Sequence, residues 1–196
     1  MKVLGLTGSI GMGKSTAARA FRRLRVPVFD ADAAVHRLQA RGGAAVRPIE
    51  AAFPGTTRDG RVDREALRNR VLGDPAALRV LERIVHPLVR RAERAFLAAC
   101  RRRGEGLAVL DVPLLFETKG EGRVDAVIVV SAPAATQRAR VLARGGMTPE
   151  RLAAILARQM PDAEKRCRAD HVVRTGLSRH AAQRQIKVIV RRLRRP

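Results

Sequence analysis

"GSIGMGKST", residues 8–16, follows directly on the apolar run "VLGLT" at residues 3–7. Gly8, Gly13, Lys14 and Ser15 complete the pattern G-x-x-x-x-G-K-[ST] in full. The residues before it, 2–7, are short, apolar and ended by glycine, which predicts a buried strand. The residues after it, "KSTAARAFRRL", put Ala17, Ala20, Phe21 and Leu24 on one face at helical spacing. A strand, a glycine-rich turn and a helix start form the context in which this pattern has a mechanism. Glycines allow successive N–H groups to converge on one anion, and the helix N-terminus adds positive potential. Gly8, Gly11, Met12, Gly13, Lys14, Ser15 and Thr16 are therefore expected to hold ATP or a similar triphosphate. Lys14 would neutralise the β- and γ-phosphates, and the Ser15 hydroxyl would ligate Mg²⁺. A dinucleotide-binding G-x-G-x-x-G reading departs in spacing and leaves the Lys-Ser pair unexplained.

Working outward, "VPVFD" (26–30), "GLAVLD" (106–111), "DAVIVVS" (125–131) and "HVVRT" (171–175) read as further short strands. Helical patterns lie between them. Residues 32–41 and 44–52 look helical on either side of Gly42-Gly43, and "FPGTTRDGRVD" (53–63) is turn-rich. Asp63 and Asp74-Pro75 mark helix starts, and Pro87 is expected to lead a separate helix over 87–102. Thr148-Pro149-Glu150 opens another, and the last helix puts Ile186, Ile189, Val190 and Leu193 on one face. Alternating strands and helices predict an α/β fold with a mostly parallel sheet. Residues 34–104 are too long for a single crossover and read as an inserted helical subdomain. Residues 144–168 read as a mobile lid, leaving 1–33, 105–143 and 169–196 as the core of one domain.

Length and composition bound the partners. The chain has 196 residues, 46% of them apolar, which suits one sizeable core built without Trp or Tyr. No apolar stretch approaches the roughly 18–20 residues needed to span a bilayer. The N-terminus lacks a signal-peptide pattern, so a cytoplasmic protein with no membrane partner is expected. Cys100 and Cys167 stand far apart, with no C-x-x-C and no His at metal-ligand spacing, and read as free thiols in a reducing compartment. The formal charge of +22 is carried by arginines spread through nearly every helix. No aromatic binding stripe or zinc-finger signature accompanies them, so specific nucleic-acid binding is not expected.

Two observations narrow the class. A GTPase requires an Asn-Lys-x-Asp motif, and the single Asn of this chain, Asn69, sits in "LRNRV". An ABC or AAA motor requires more chain and further signature segments. A small kinase remains, and it needs an acid near the carboxyl edge of the sheet to orient the acceptor hydroxyl. "FDAD" supplies Asp30 and Asp32 just past the second strand, although either can instead cap a helix. Asp111 closes an apolar strand in the manner of a Walker B carboxylate. It can reach Mg²⁺ directly or through water, or simply cap a turn.

"GLTGSIGMGKST", "VFDADAAVHRL", "IVHPLV", "DVPLLFE" and "ARQMPDAEKRCRAD", in this order, resemble the dephospho-CoA kinases over nearly the whole chain. The resemblance implies a P-loop fold of nucleoside-monophosphate-kinase type, with a five-stranded parallel sheet and helical CoA-binding and lid subdomains. It implies phosphoryl transfer from ATP to the ribose 3′-hydroxyl of dephospho-CoA, the last step of coenzyme A synthesis; a monomer or weak homo-oligomer is expected. Asp32 matches the family's proposed base, and Arg140 the arginine that steadies the migrating phosphoryl group, with Arg144 a second candidate. His36, His86 and Glu117 fall in the segments implied to bind substrate, although a packed or capping role fits either histidine equally. Family members often carry an acid where this chain has Arg174, which bears on nucleotide preference. Two alternatives stay open: a kinase for a nucleoside or nucleotide acceptor, and a basic nucleic-acid-binding module that uses ATP as a switch.

Overall fold

A computed structural model describes residues 1–194. In chain order the elements are β1 (Lys2–Thr7), α1 (Lys14–Arg23), β2 (Val28–Asp30), α2 (Ala31–Gln39), α3 (Val46–Ala52), β3 (Thr57–Arg58), β4 (Arg61–Val62), α4 (Arg64–Val71) and α5 (Pro75–Arg102). They continue with β5 (Leu107–Asp111), β6 (Ala126–Ser131), α6 (Ala134–Leu142), α7 (Pro149–Leu156), α8 (Asp162–Cys167), β7 (His171–Arg174) and α9 (Arg179–Arg194). The chain divides into two compact units, one of Met1–Phe29 with the chain from Cys100 onward, the other of Asp30–Ala99.

The first unit is built on a five-stranded parallel sheet in the order β2-β5-β1-β6-β7. β1 pairs with β5 through Leu4↔Val109 and Leu6↔Asp111, and with β6 through Leu6↔Ile128 and Thr7↔Val129. β5 is buried along its whole length, as a strand covered on both faces must be. Strand side chains alternate in direction, so β6 serves two cores. Ile128 and Val130 join Leu4, Leu6, Phe21 and Ile186 in a cluster that includes residues of α1 and α9. Val127 and Val129 join Leu115 and Phe116, with Met160 packed against them. Parallel pairing places the carboxyl ends of β1, β5, β6 and β7 along one edge, and their last residues are Thr7, Asp111, Ser131 and Arg174.

The second unit has its own core of Ala45, Val46, Ile49, Phe53, Val62 and Leu67, against which α5 packs. One expectation is corrected in this unit. Pro87 does not start a helix; it lies inside α5, one helix of 28 residues. The apolar positions Ala77, Val80, Leu81, Ile84, Val85 and Leu88 run through the proline at unbroken helical spacing and feed one cluster. That shared burial outweighs the ~3 kcal/mol that an interior proline costs. Asp74 still caps the start, accepting from the N–H groups of Ala76 and Ala77 at 2.8 and 3.0 Å. The turn-rich stretch 53–63 contains a small antiparallel hairpin, Thr57↔Val62 and Arg58↔Arg61. Asp59 and Gly60 close it with φ of 52° and 73°, the left-handed pair that an Asp-Gly turn supplies.

Candidate active site

The glycine-rich loop joins β1 to α1. Gly13 takes the N-cap position of α1 at φ 93°, so no side chain caps this helix. The N–H groups of Gly13, Lys14 and Ser15 have no internal hydrogen-bond partner among the described residues. Three donors at a helix N-terminus make a site for an anion. Gly11 is required for a second reason. Its φ is 77°, and a Cβ there would stand 2.5 Å from Val141 Cγ2 and 3.0 Å from the Gln137 carbonyl oxygen. The loop therefore passes so close to α6 that no side chain fits. Met12 is buried, Ser15 exposed, and Thr16 half-buried in the first turn of α1.

Lys14 Nζ pairs with Asp111 Oδ1 at 2.6 Å, and Asp111 is almost fully buried at the end of β5. The ion pair brings together the loop lysine and the strand-end acid singled out in the sequence. A nucleotide's phosphates would compete with Asp111 for the ammonium group, so the carboxylate holds the lysine ready without neutralising the loop's N–H donors. Among the described residues no cluster of three or more His, Cys, Asp or Glu can cage a metal. A Mg²⁺ ion would instead be held by one or two protein oxygens and the phosphates themselves, the usual arrangement for this ion. The exposed Ser15 hydroxyl and the Asp111 carboxylate are oxygen donors of the right type.

Arg140, exposed near the end of α6, donates from Nη1 to Thr175 Oγ at 3.2 Å and from Nη2 to the Thr175 carbonyl at 2.7 Å. Thr175 Oγ in turn donates to the Met12 carbonyl at 2.5 Å. Arg144, just past α6, is exposed. Glu117 accepts from the Met160 N–H at 2.8 Å and pairs with Lys165 Nζ at 2.8 Å. Lys165 is fully buried on α8, so that helix is pinned to Glu117 by a charge pair. Burial pushes the Glu117 carboxyl upward, but the Lys165 ammonium and backbone N–H donors outweigh it and hold it below the usual carboxylate value. Gln159, in the same stretch, accepts from the Ile10 N–H of the loop at 3.2 Å. Arg174 ends β7 with an exposed side chain, while its backbone is held by Gln185 at both N–H and carbonyl.

In the second unit the two acids of "FDAD" separate in role. Asp30 caps α2, its Oδ1 accepting from the Ala33 N–H at 2.9 Å. Asp32 lies in the first turn with an exposed side chain that forms no cap. His36, one turn further, meets Arg64 Nη1 through Nδ1 at 3.0 Å. The guanidinium can only donate, so Nδ1 is the acceptor in this contact. Arg41, Arg58 and Arg61 line the same recess of about 530 Å³. His86 is exposed on α5 in a groove of about 700 Å³ that Arg79, Arg83, Arg90 and Arg94 also line. Sequence reasoning missed Arg64, Gln137, Gln159, Lys165 and Thr175. Gln159 and Lys165 stand inside the quoted "ARQMPDAEKRCRAD", but nothing in their spacing reveals their partners.

A strand–loop–helix phosphate site on a parallel sheet, with the loop lysine paired to a strand-end acid, defines a kinase of the P-loop class. The family model for dephospho-CoA kinase matches residues 2–179. A dephospho-CoA kinase of Mesorhizobium japonicum is 60% identical over 194 residues, 99% of this chain and 98% of the relative. One of Paramagnetospirillum magneticum is 69% identical over 166 residues, 85% of this chain and 78% of the relative. Among solved structures, TT1252 from Thermus thermophilus superposes with a TM-score of 0.85 at 38% identity, covering 98% of this chain and 97% of that one. Dephospho-CoA kinase from Campylobacter jejuni gives 0.67 at 20% identity with coverages of 98% and 97%, a likeness of fold. The chain belongs to the dephospho-CoA kinase family, whose ATP-dependent reaction phosphorylates dephospho-CoA in coenzyme A biosynthesis.

Proposed function

We propose that this chain moves the γ-phosphoryl group of ATP onto the ribose 3′-hydroxyl of dephospho-CoA, with Mg²⁺, as a cytoplasmic monomer or weak homo-oligomer. The observation that carries the donor half is the Lys14–Asp111 pair beside the open N–H groups of Gly13, Lys14 and Ser15. Lys14 draws charge from the phosphate oxygens as the bond to the leaving group stretches, and Arg140 meets the charge on the transferred group. Mg²⁺, held by Ser15 and the phosphates with help from Asp111, would neutralise charge on the same oxygens. Asp32 orients the acceptor hydroxyl and takes its proton late in transfer.

Residues 30–99 act as the acceptor-binding part. Dephospho-CoA carries a diphosphate, and the recesses around His36–Arg64 and around His86 offer the guanidinium groups that such a group requires. Residues 144–168 act as the lid, and Glu117 serves by holding α8 through Lys165. Nucleic acid is bound only through nonspecific charge. The deciding experiment is ADP release by purified protein offered dephospho-CoA, nucleosides, nucleotides and sugars in turn. Turnover with dephospho-CoA alone, with the product phosphorylated at the 3′ position, is expected. Turnover with a nucleoside and none with dephospho-CoA would reject the proposal.

A further inference from the structure

The phosphate-binding loop is held from behind by side chains that take its carbonyl groups. Gln137 Nε2 donates to the Ile10 carbonyl at 2.8 Å, and Thr175 Oγ donates to the Met12 carbonyl at 2.5 Å. Both residues are buried. In a trans peptide the carbonyl and the next N–H lie in one rigid plane and point in opposite directions, and among the described residues no peptide is cis. Anchoring the Met12 carbonyl to Thr175 therefore turns the Gly13 N–H away from Thr175, toward the side where a phosphate would sit. The Ile10 carbonyl and the Gly11 N–H stand in the same relation.

Thr175 does more than Gln137. Its hydroxyl has one proton to give and lone pairs to receive. The proton goes to Met12, and the 3.3 Å separation to the Ser131 carbonyl is the weaker of its two acceptor contacts. The lone pairs receive the Arg140 guanidinium. One oxygen thus sits between the loop that holds the donor nucleotide and the arginine assigned to the transferred group. Its own position is fixed by its backbone N–H, bonded to the Ser131 carbonyl at 2.8 Å at the end of β6. Donating to a carbonyl while accepting from a cation polarises the hydroxyl in one direction, so each bond strengthens the other.

We propose that Thr175 is a positioning residue that sets the phosphate-binding loop and Arg140 in register with each other. It touches neither substrate, and the inference rests on the reading that Arg140 meets the migrating phosphoryl group. Thr175→Val keeps the shape and removes the oxygen, and Thr175→Ser keeps the oxygen. Thr175→Val is expected to lower kcat about tenfold, the scale of a lost pair of hydrogen bonds, with KM for ATP changed by less than about threefold. Thr175→Ser is expected to stay within about twofold of the parent. In an Arg140→Ala background, Thr175→Val should cost less than about threefold more, because one of the two hydrogen bonds it removes is already gone.

If Thr175→Val does not fold, as judged by melting, Thr175→Ala removes the same oxygen without bulk and takes its place. A parent-like kcat in the variant lacking the oxygen, or the full loss repeated in the Arg140→Ala background, overturns the coupling. So does a loss that Thr175→Ser does not rescue. Near-normal turnover in Arg140→Ala alone instead rejects the reading of Arg140, and the coupling falls with it.

Discussion

Lys165 Nζ lies 2.8 Å from Glu117 Oε1, and the Lys165 side chain has no exposed surface at all. Among the described residues Glu117 is the only acid within ion-pairing distance of it. A buried ammonium tolerates its site only while the counter-charge is present. Glu117→Gln is therefore expected to destabilise the protein by about 3 kcal/mol, or roughly 6–12 °C in melting temperature for a chain of this size. Lys165→Met with Glu117→Leu should recover most of that loss, because two apolar side chains leave no charge behind. The pH dependence follows from the lowered Glu117 value. The stabilisation is fully present above the unfolded value of 4.5 and fades as pH falls through the lower folded value. Melting curves from pH 7 down to pH 3 would show this loss in the parent and a flatter profile in the double variant; parallel profiles would refute it.

Asp111 is expected to serve Lys14 and Mg²⁺ together. Lys14→Met should lower kcat by about 10²–10³-fold, the scale of losing one electrostatic contact to the transition state. Asp111→Asn keeps the shape of the strand end but leaves the ammonium without a full counter-charge. It should raise the Mg²⁺ concentration needed for half-maximal turnover, besides lowering kcat. Titration of Mg²⁺ at fixed ATP checks this. An unchanged Mg²⁺ requirement in Asp111→Asn would confine Asp111 to holding Lys14.

Gly11→Ala tests the closeness of the loop to α6. The added Cβ would fall 2.5 Å from Val141 Cγ2 and 3.0 Å from the Gln137 carbonyl oxygen, at a backbone angle L-residues rarely adopt. The loop must move, and its N–H groups move with it. ATP affinity should fall at least about tenfold, about 1.4 kcal/mol, as read by calorimetry. Restored affinity in Gly11→Ala with Val141→Ala would show that the side-chain contact is the larger part. No recovery would assign the loss to the Gln137 carbonyl and the backbone angle.

The sheet and the donor site were legible because their signals are local. A glycine loop between an apolar strand and a helix start carries its own phosphate chemistry, and all five strands of the main sheet stand where the apolar runs place them. Caps were equally local, and Asp63, Asp74 and Thr148 each accept the N–H groups expected of them. Pro87 misled because proline is a local stop signal, while the continuity of α5 is decided by burial against a core assembled from distant residues. Thr175, Gln159 and Lys165 were illegible for the same reason. Their partners Met12, Ile10 and Glu117 lie 163, 149 and 48 residues away in sequence, and no spacing rule encodes such pairs. The Asp-Gly of "TRDGRV" was a readable hairpin signal that the shortness of its strands concealed.

Arg64 should prove specific to the acceptor. Its guanidinium fixes His36 and lines a recess shared with Arg41, Arg58 and Arg61. Arg64→Ala removes one donor set for a diphosphate and frees the histidine ring. KM for dephospho-CoA should rise about tenfold or more, as for loss of one charge-assisted contact, while KM for ATP holds. Arg64→Lys should recover little, because an ammonium cannot copy the planar fork. Equal increases in both KM values would mean that the variant disturbs the protein generally and would remove Arg64 from acceptor binding.

Asp32→Asn decides the role of the acid that Asp30 does not fill. Asp30 is occupied as the cap of α2, so its replacement by Asn, itself a good cap, should cost little stability and little rate. Asp32 is exposed in the first turn and caps nothing, leaving its carboxylate available to a hydroxyl. Asp32→Asn keeps size and hydrogen-bonding reach but cannot take a proton. It should retain ATP binding while lowering turnover at least about a hundredfold, the low end of general-base effects. Asp32→Glu, which keeps the base and moves it by one methylene, should lie between the two. If Asp32→Asn turns over at a near-normal rate while Asp30→Asn does not, the two acids exchange roles and the base belongs to Asp30.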